Sequence, residues 1–208
     1  MTLSERTPAG RPAVASDVLI GRDPDILSDI HAPGVAAAIW RRTPDAAFQT
    51  WIDGLNETRL PRLRTCVPVH KAETAVLIAC GIVATPQGQE LDRFAGDVGA
   101  LTAMYCRIMG TDYARIRLDV TDEAMCPKFH LDNVPARLIC TYRGNGTEYV
   151  PERHQGDPGR IRTMHTGDAA VIRGGQWPSE ERCGLLHRSP PTTFRNRPRL
   201  LLVVDMPD

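Results

Sequence analysis

The chain has 208 residues, with 25 Lys+Arg against 25 Asp+Glu and a formal net charge of zero. That length suits one domain with an elaborated N-terminal region and is enough to bury a real core. The even charge balance excludes the basic excess that draws nucleic acid or an anionic membrane surface, and no apolar run approaches the length of a membrane span.

The cations are almost all arginine, with lysine only at Lys71 and Lys128, a bias read as genomic composition rather than arginine-rich recognition. Residues 1–16 read as a mobile tail rich in Pro, Ala and Ser, without the apolar segment of a signal peptide. A cytoplasmic protein with its six cysteines reduced is therefore expected.

Asp23-Pro24-Asp25 supplies an N-cap and a first-turn proline for a short helix through about His31. Gly34 to Trp40 is small and apolar and suits a strand or a helix. Thr43-Pro44-Asp45 starts a helix carrying Phe48, Trp51, Ile52 and Leu55 at helical spacing. Thr74 to Ile82 reads as a buried apolar segment. The strongest helix runs from about Gln87 to Met109, with Leu91, Phe94, Val98, Leu101, Tyr105 and Ile108 on one face and Gly110 as its stop.

After Gly110 the period changes to two. Ala114, Ile116, Leu118 and Val120 alternate with Tyr113, Arg115, Arg117 and Asp119, as in a half-buried strand. Further strands are predicted at Ala136 to Tyr142, Thr147 to Val150, Ala169 to Ile172, Gly184 to His187 and Arg199 to Val204. The Gly144-Asn145-Gly146 turn separates the first two. Short strands punctuated by Gly and Pro suggest a β-sandwich or barrel. The predicted fold class is α+β, with a mainly helical supporting region at 17–110 and a β-core at 111–208 joined in one integrated domain.

The chemistry concentrates in Phe129-His130-Leu131-Asp132 and in Leu185-Leu186-His187-Arg188-Ser189-Pro190. On a strand, residues i and i+2 point to one side with Cα atoms roughly 6.5–7 Å apart, so both side chains can reach one ion at about 2.0–2.2 Å. A second histidine on another strand would complete two imidazoles and one carboxylate on one face of a metal. His130-x-Asp132 alone equally suits a surface histidine beside a solvated aspartate. The candidate metal ligands are His130, Asp132 and His187. A guanidinium pairs bidentately with a carboxylate and keeps its charge, so Arg197 or Arg199 is the candidate anchor for an acidic ligand. Thr141 or Tyr142, one of which should point inward, is a weaker candidate to hydrogen-bond that acid, core packing being the other reading of each.

The His-x-Asp, the distal histidine and an arginine ten residues on resemble the motif of the iron(II)/2-oxoglutarate-dependent oxygenases. The Gly167-Asp168 opening of the 167–172 strand is similar to the strand before the distal histidine there. That resemblance covers residues 113–205. It implies a double-stranded β-helix (jelly-roll, cupin-like) core, iron(II) as the metal, 2-oxoglutarate as co-substrate held by Arg197 or Arg199, and hydroxylation of a small-molecule or peptide substrate. The strings Cys126-Pro127-Lys128-Phe129-His130-Leu131-Asp132, Arg137-Leu138, Thr141-Tyr142-Arg143-Gly144, Gly146-Thr147-Glu148, Ile39-Trp40-Arg41-Arg42 and His187-Arg188-Ser189-Pro190 resemble an uncharacterised bacterial domain family across nearly the whole chain. Its genes often lie near metal-homeostasis genes, which implies the alternative of a non-catalytic metal-binding jelly-roll protein, with zinc as the metal.

Cysteine offers a competing site. Cys126 and Cys183 each precede a candidate histidine by four residues, and two such pairs could form a Cys₂His₂ zinc set. On a strand, however, i and i+4 are about 13 Å apart, too far to share an ion. Neither nucleic acid nor membrane is an expected partner.

Overall fold

The computed structural model describes residues 13–122, 126–191 and 198–207. Twelve strands and three α-helices follow in order: β1 (Val14–Ala15), β2 (Asp17–Gly21), β3 (Val35–Trp40), α1 (Ala46–Gly54), β4 (Leu63–Pro68), α2 (Ala72–Ile82), α3 (Gln89–Met109), β5 (Tyr113–Thr121), β6 (Ala136–Arg143), β7 (Glu148–Pro151), β8 (Arg162–Thr163), β9 (Ala169–Arg173), β10 (Arg182–Cys183), β11 (Leu185–Arg188) and β12 (Arg199–Asp205). The result is a mixed α/β protein built on one large sheet of seven strands, ordered β2-β3-β9-β6-β12-β5-β4. Two smaller sheets, β11-β7-β8 and β1-β10, complete the strands.

Period-two alternation assigns the two faces of the large sheet. On β5, Ala114, Ile116, Leu118 and Val120 join the cluster that holds Phe94, Val98, Leu101 and Tyr105 of α3. Leu138 and Cys140 of β6 and Leu200, Leu202 and Val204 of β12 face the same way. On the opposite face Ile139, Ala170, Ile172 and Val203 pack with Tyr149, Met164, Cys183 and Leu185 of the smaller-sheet region. Strands β6 and β9 are thus covered on both faces, which explains their nearly continuous apolar reading.

The N-terminal half carries more strand than its helical reading suggests. Strands β2, β3 and β4 occupy both edges of the large sheet. Gly34 to Trp40 resolves as a strand because its neighbour β9 pairs it antiparallel from Ala37 to Trp40. The segment read as buried at 74–82 is a helix with Val76, Ala79 and Cys80 inside but Ile78 and Ile82 outside. Its mean apolarity hid that asymmetry. The other helices match their signals. Asp23 caps a 3-10 helix over Pro24–His31, and the Asp45 carboxylate accepts from the amides of Ala47 and Phe48 at the start of α1. Gly110 takes the left-handed conformation, φ 66°, that ends α3. Tyr105 ties α3 to the sheet by donating to the Ala136 carbonyl at 2.7 Å. None of the described helices is long and apolar enough to cross a membrane.

Candidate metal centre

His130 and His187 lie directly opposite each other across an antiparallel bridge. Each amide donates to the other's carbonyl at 3.0 Å. In such a pair both side chains emerge on the same face. The two rings accordingly stand with centroids 4.6 Å apart. His187 belongs to β11. His130 sits on an extended segment held to it by that one bridge rather than on a longer strand. Pro127 and Pro135 bracket this segment, and proline cannot donate to a ladder.

Asp132 is brought in by the loop after β9. The amides of Gly174, Gly175 and Gln176 donate to the carbonyls of Pro135, Asp132 and Val134. A Cβ at residue 174 would overlap the Val134 carbonyl oxygen and fall 2.8 Å from that of Asp132. Only glycine lets the two backbones approach so closely. The Asp132 carboxylate then meets both imidazoles, Oδ2 at 3.0 Å from His187 Nε2 and Oδ1 at 3.6 Å from His130 Nε2.

The donor set fits a divalent metal. The candidate ligand atoms of His130, Asp132 and His187 all lie within 4.8 Å of one another. Adjacent ligands about 2.1 Å from one ion and at right angles would be roughly 3 Å apart. His130 Nδ1 lies 3.0 Å from the Lys128 carbonyl. An N–H at Nδ1 leaves the Nε2 lone pair directed at the cluster, as metal-bound imidazoles usually require. His187 Nδ1 is buried without a hydrogen-bond partner among the described residues. Burial opposes the charge of Asp132, but the hydrogen bond and charge of His187, with Arg137 and His130, hold its pKa down to about 2. A bound cation would take the place of those imidazolium charges, its ligands being the ionised carboxylate and unprotonated imidazoles.

Arg137 of β6 contacts the same carboxylate, NH1 lying 2.7 Å from Asp132 Oδ2. Its Nε and NH2 donate to both oxygens of buried Asp205 at 2.7 and 2.8 Å. Arg137, with Leu138, belongs to the strings that resemble the bacterial domain family, but no sequence signal assigned it a role at the cluster. Asp205 carried no motif signal, its only trace being a charge at the end of an apolar strand.

The three residues open onto a cavity of about 120 Å³ also lined by Arg117, Asp119, Thr147, Arg199, Leu201 and Val203. Arg199 is 8% exposed and donates to the hydroxyls of Thr141 and Thr147 at 3.0 and 2.8 Å. Its Nε has no partner, and among the described residues no carboxylate lies within ion-pair distance. Burial pushes its pKa down to about 10 despite the opposing charge of Asp119. Arg197, the other candidate anchor, lies outside the described residues.

Strand alternation decides between Thr141 and Tyr142. Thr141 faces Arg199. Tyr142, expected among the co-substrate-binding residues, points to the helical face instead, which corrects that assignment. Its hydroxyl donates to Asp97 at 2.6 Å and its ring packs edge-on against Phe94. Burial first, and then the charge of Asp97, raise its pKa well above the ordinary phenol value.

The cysteines do not join the cluster. Cys126 is exposed at the cavity edge, while Cys183 is buried with its thiol directed to the Leu185 carbonyl at 3.8 Å. Among the described residues the one group of side chains placed so that it could hold a metal ion is His130, Asp132 and His187.

A mixed α/β protein with a His-Asp-His cluster in a sheet-lined cavity is thus the class defined by fold and site. The chain belongs to the family described as "Protein of unknown function (DUF1826)", whose model matches residues 21–205. A search of curated proteins finds no match. Among solved structures the chain is similar to the dioxygenase for auxin oxidation from rice, at 13% identity and a TM-score of 0.47, covering 90% of this chain and 81% of that one. It is also similar to dioxygenase for auxin oxidation 1 from Arabidopsis thaliana in its 2-oxoglutarate complex, at 10% identity and a TM-score of 0.45, covering 90% and 91% of the two chains. A cupin protein from Bacteroides fragilis matches at 15% identity and a TM-score of 0.28, over 45% of this chain and 64% of that one. These likenesses are distant and assign no reaction to this chain.

Proposed function

We propose that this protein is a non-haem iron(II)/2-oxoglutarate-dependent oxygenase whose β-strands form a double-stranded β-helix. The observation that carries the reading is the shared cavity: a three-residue candidate ligand set, His130, Asp132 and His187, opens onto the same space as Arg199, a buried guanidinium with no carboxylate in ion-pair reach among the described residues. Iron(II) bound by those three side chains would supply the redox chemistry by which oxygen is activated at the expense of 2-oxoglutarate.

The chain's own residues have separable tasks. His130 and His187 present Nε2 from opposed backbone positions, and Asp132 supplies the anionic ligand. Arg199, steadied by Thr141 and Thr147, would grip the distal carboxylate of 2-oxoglutarate through its unused donors. Ile139, Leu201 and Val203 line the cavity with hydrocarbon and help exclude bulk water. A three-ligand set leaves coordination positions for the co-substrate and oxygen, which favours this reading over a closed zinc-storage or sensor site.

The test is anaerobic reconstitution. Iron(II) with 2-oxoglutarate should give the weak visible absorption of their chelate, and Arg199→Ala should weaken 2-oxoglutarate binding by about 1.5–3 kcal/mol while metal affinity changes little. Failure of the wild-type protein to bind 2-oxoglutarate, or equal loss of metal and co-substrate in the variant, would overturn the assignment.

A further inference from the structure

Arg117 makes a demand that the oxygenase reading leaves unmet. It projects from β5 on the face opposite the helices and lines the metal cavity. Its side chain is 19% exposed, and its buried Nε has no hydrogen-bond partner among the described residues. Two carboxylates come near but stay outside hydrogen-bond reach: Asp119 Oδ2 at 3.8 Å from NH1 and Asp205 Oδ2 at 4.0 Å from NH2. Asp205 is already held through both oxygens by Arg137. Asp119 is also approached by Arg64 of β4, at 3.7 Å. Arg64 and Arg117 stand directly opposite in the β4–β5 pairing, a like-charge arrangement that costs stability unless something offsets it. A guanidinium has five donors, and a sheltered one without hydrogen bonds carries a desolvation cost that an incoming acceptor would relieve.

The location separates this group from the co-substrate anchor. Arg199 pairs with Thr121 across the β12–β5 ladder, and Arg117 pairs with Val203. Those positions are four residues apart along the strand, so their bases are about 13 Å apart. Val203 in turn pairs with Ile139. The cavity next to Arg117 is therefore floored by the apolar side chains of Ile139, Leu201 and Val203.

We propose that Arg117 docks a carboxylate group of the substrate, whose apolar body lies on Ile139, Leu201 and Val203, so that the substrate class is an organic carboxylic acid. As a statement about substrate, this rests on the oxygenase reading. As a statement about binding, it stands on the geometry of Arg117.

Benzoate and benzamide, equal in shape but different in charge, are the probes. In uniformly ¹⁵N-labelled full-length protein without metal, the Arg117 Nε–Hε signal is assigned by its loss in Arg117→Gln and Arg117→Lys. Benzoate should shift that signal and bind at least tenfold more tightly than benzamide. Both variants should lose benzoate affinity at least tenfold, whereas Arg199→Gln should retain it. In a second arm, Mn(II) and saturating 2-oxoglutarate are added, and benzoate ring protons should broaden through proximity to the ion. Equal binding of benzoate and benzamide by wild-type protein would overturn the proposal without needing either variant to fold. Benzoate binding lost in Arg199→Gln but kept in Arg117→Gln would overturn it too. Failure of the oxygenase reading has a different signature: no binding of Mn(II) or 2-oxoglutarate, with the Arg117 response to benzoate intact.

Discussion

Arg137 links the stability of the sheet to the geometry of the metal ligands, and Arg137→Leu should separate the two. In the native protein its guanidinium spans Asp132 and Asp205, with contacts of 2.7 to 2.8 Å. The Asp205 side chain is 4% exposed, and a second guanidinium, Arg117, stands 4.0 Å away. Deleting Arg137 strands a buried carboxylate, for which about 3–5 kcal/mol is the ordinary cost. Closer approach by Arg117 should trim this to about 3 kcal/mol, measured by denaturant unfolding of metal-stripped protein. Replacing the pair together, Arg137→Leu with Asp205→Val, should recover most of that loss, because an apolar pair needs no counter-charge. Metal affinity should behave otherwise. Both variants leave Asp132 without its clamp, so competition against a chelator should show about 10–100-fold weaker binding in each. Wild-type metal affinity in both would refute the positioning role. A double variant as unstable as the single one would refute the buried-charge argument.

Replacing Cys126 and Cys183 together by Ser should leave metal stoichiometry unchanged by elemental analysis, whereas His130→Ala or Asp132→Ala should abolish it. The buried hydroxyl at 183 should cost about 1–3 kcal/mol, seen as easier unfolding of the metal-free form. Gly174→Ala must push away the Val134 and Asp132 carbonyls, so it should weaken metal binding at a residue remote in sequence from every ligand, checked by the same chelator competition. Tyr142→Phe should destabilise the fold by about 1–2 kcal/mol through loss of the bond to Asp97 and leave 2-oxoglutarate affinity alone, measured by unfolding and by calorimetry. The Arg173 hydrogen bond first, with help from the Gly34 amide, holds the Glu181 carboxyl below its ordinary value against the cost of burial. The stability it adds is present above the unfolded pKa and is lost as pH falls through the folded one. The gap in unfolding free energy between wild type and Glu181→Gln should accordingly close in the acid range.

Local chemistry was legible in the sequence. Asp23 as a cap, Thr43-Pro44-Asp45 as a helix start, Gly110 as a stop and the apolar stripe of α3 all depend on residues within a turn or two of each other. The alternation of Ala114 to Val120 likewise assigned one face of β5 to the interior, and the His-x-Asp with its distant histidine named the three residues that the fold brings together. What the sequence could not specify is which distant backbones become neighbours. The bridge placing His130 opposite His187, the Gly174 loop that holds Asp132, and the parity that turns Thr141 toward Arg199 and Tyr142 toward Asp97 are set by pairings across tens of residues. A shift of one residue in any of them would invert every side chain along that strand. The same holds for Arg117, Arg137 and Asp205. As letters they are ordinary charged residues within strands, and only the register of β5, β6 and β12 brings them beside the cavity of the His-Asp-His cluster.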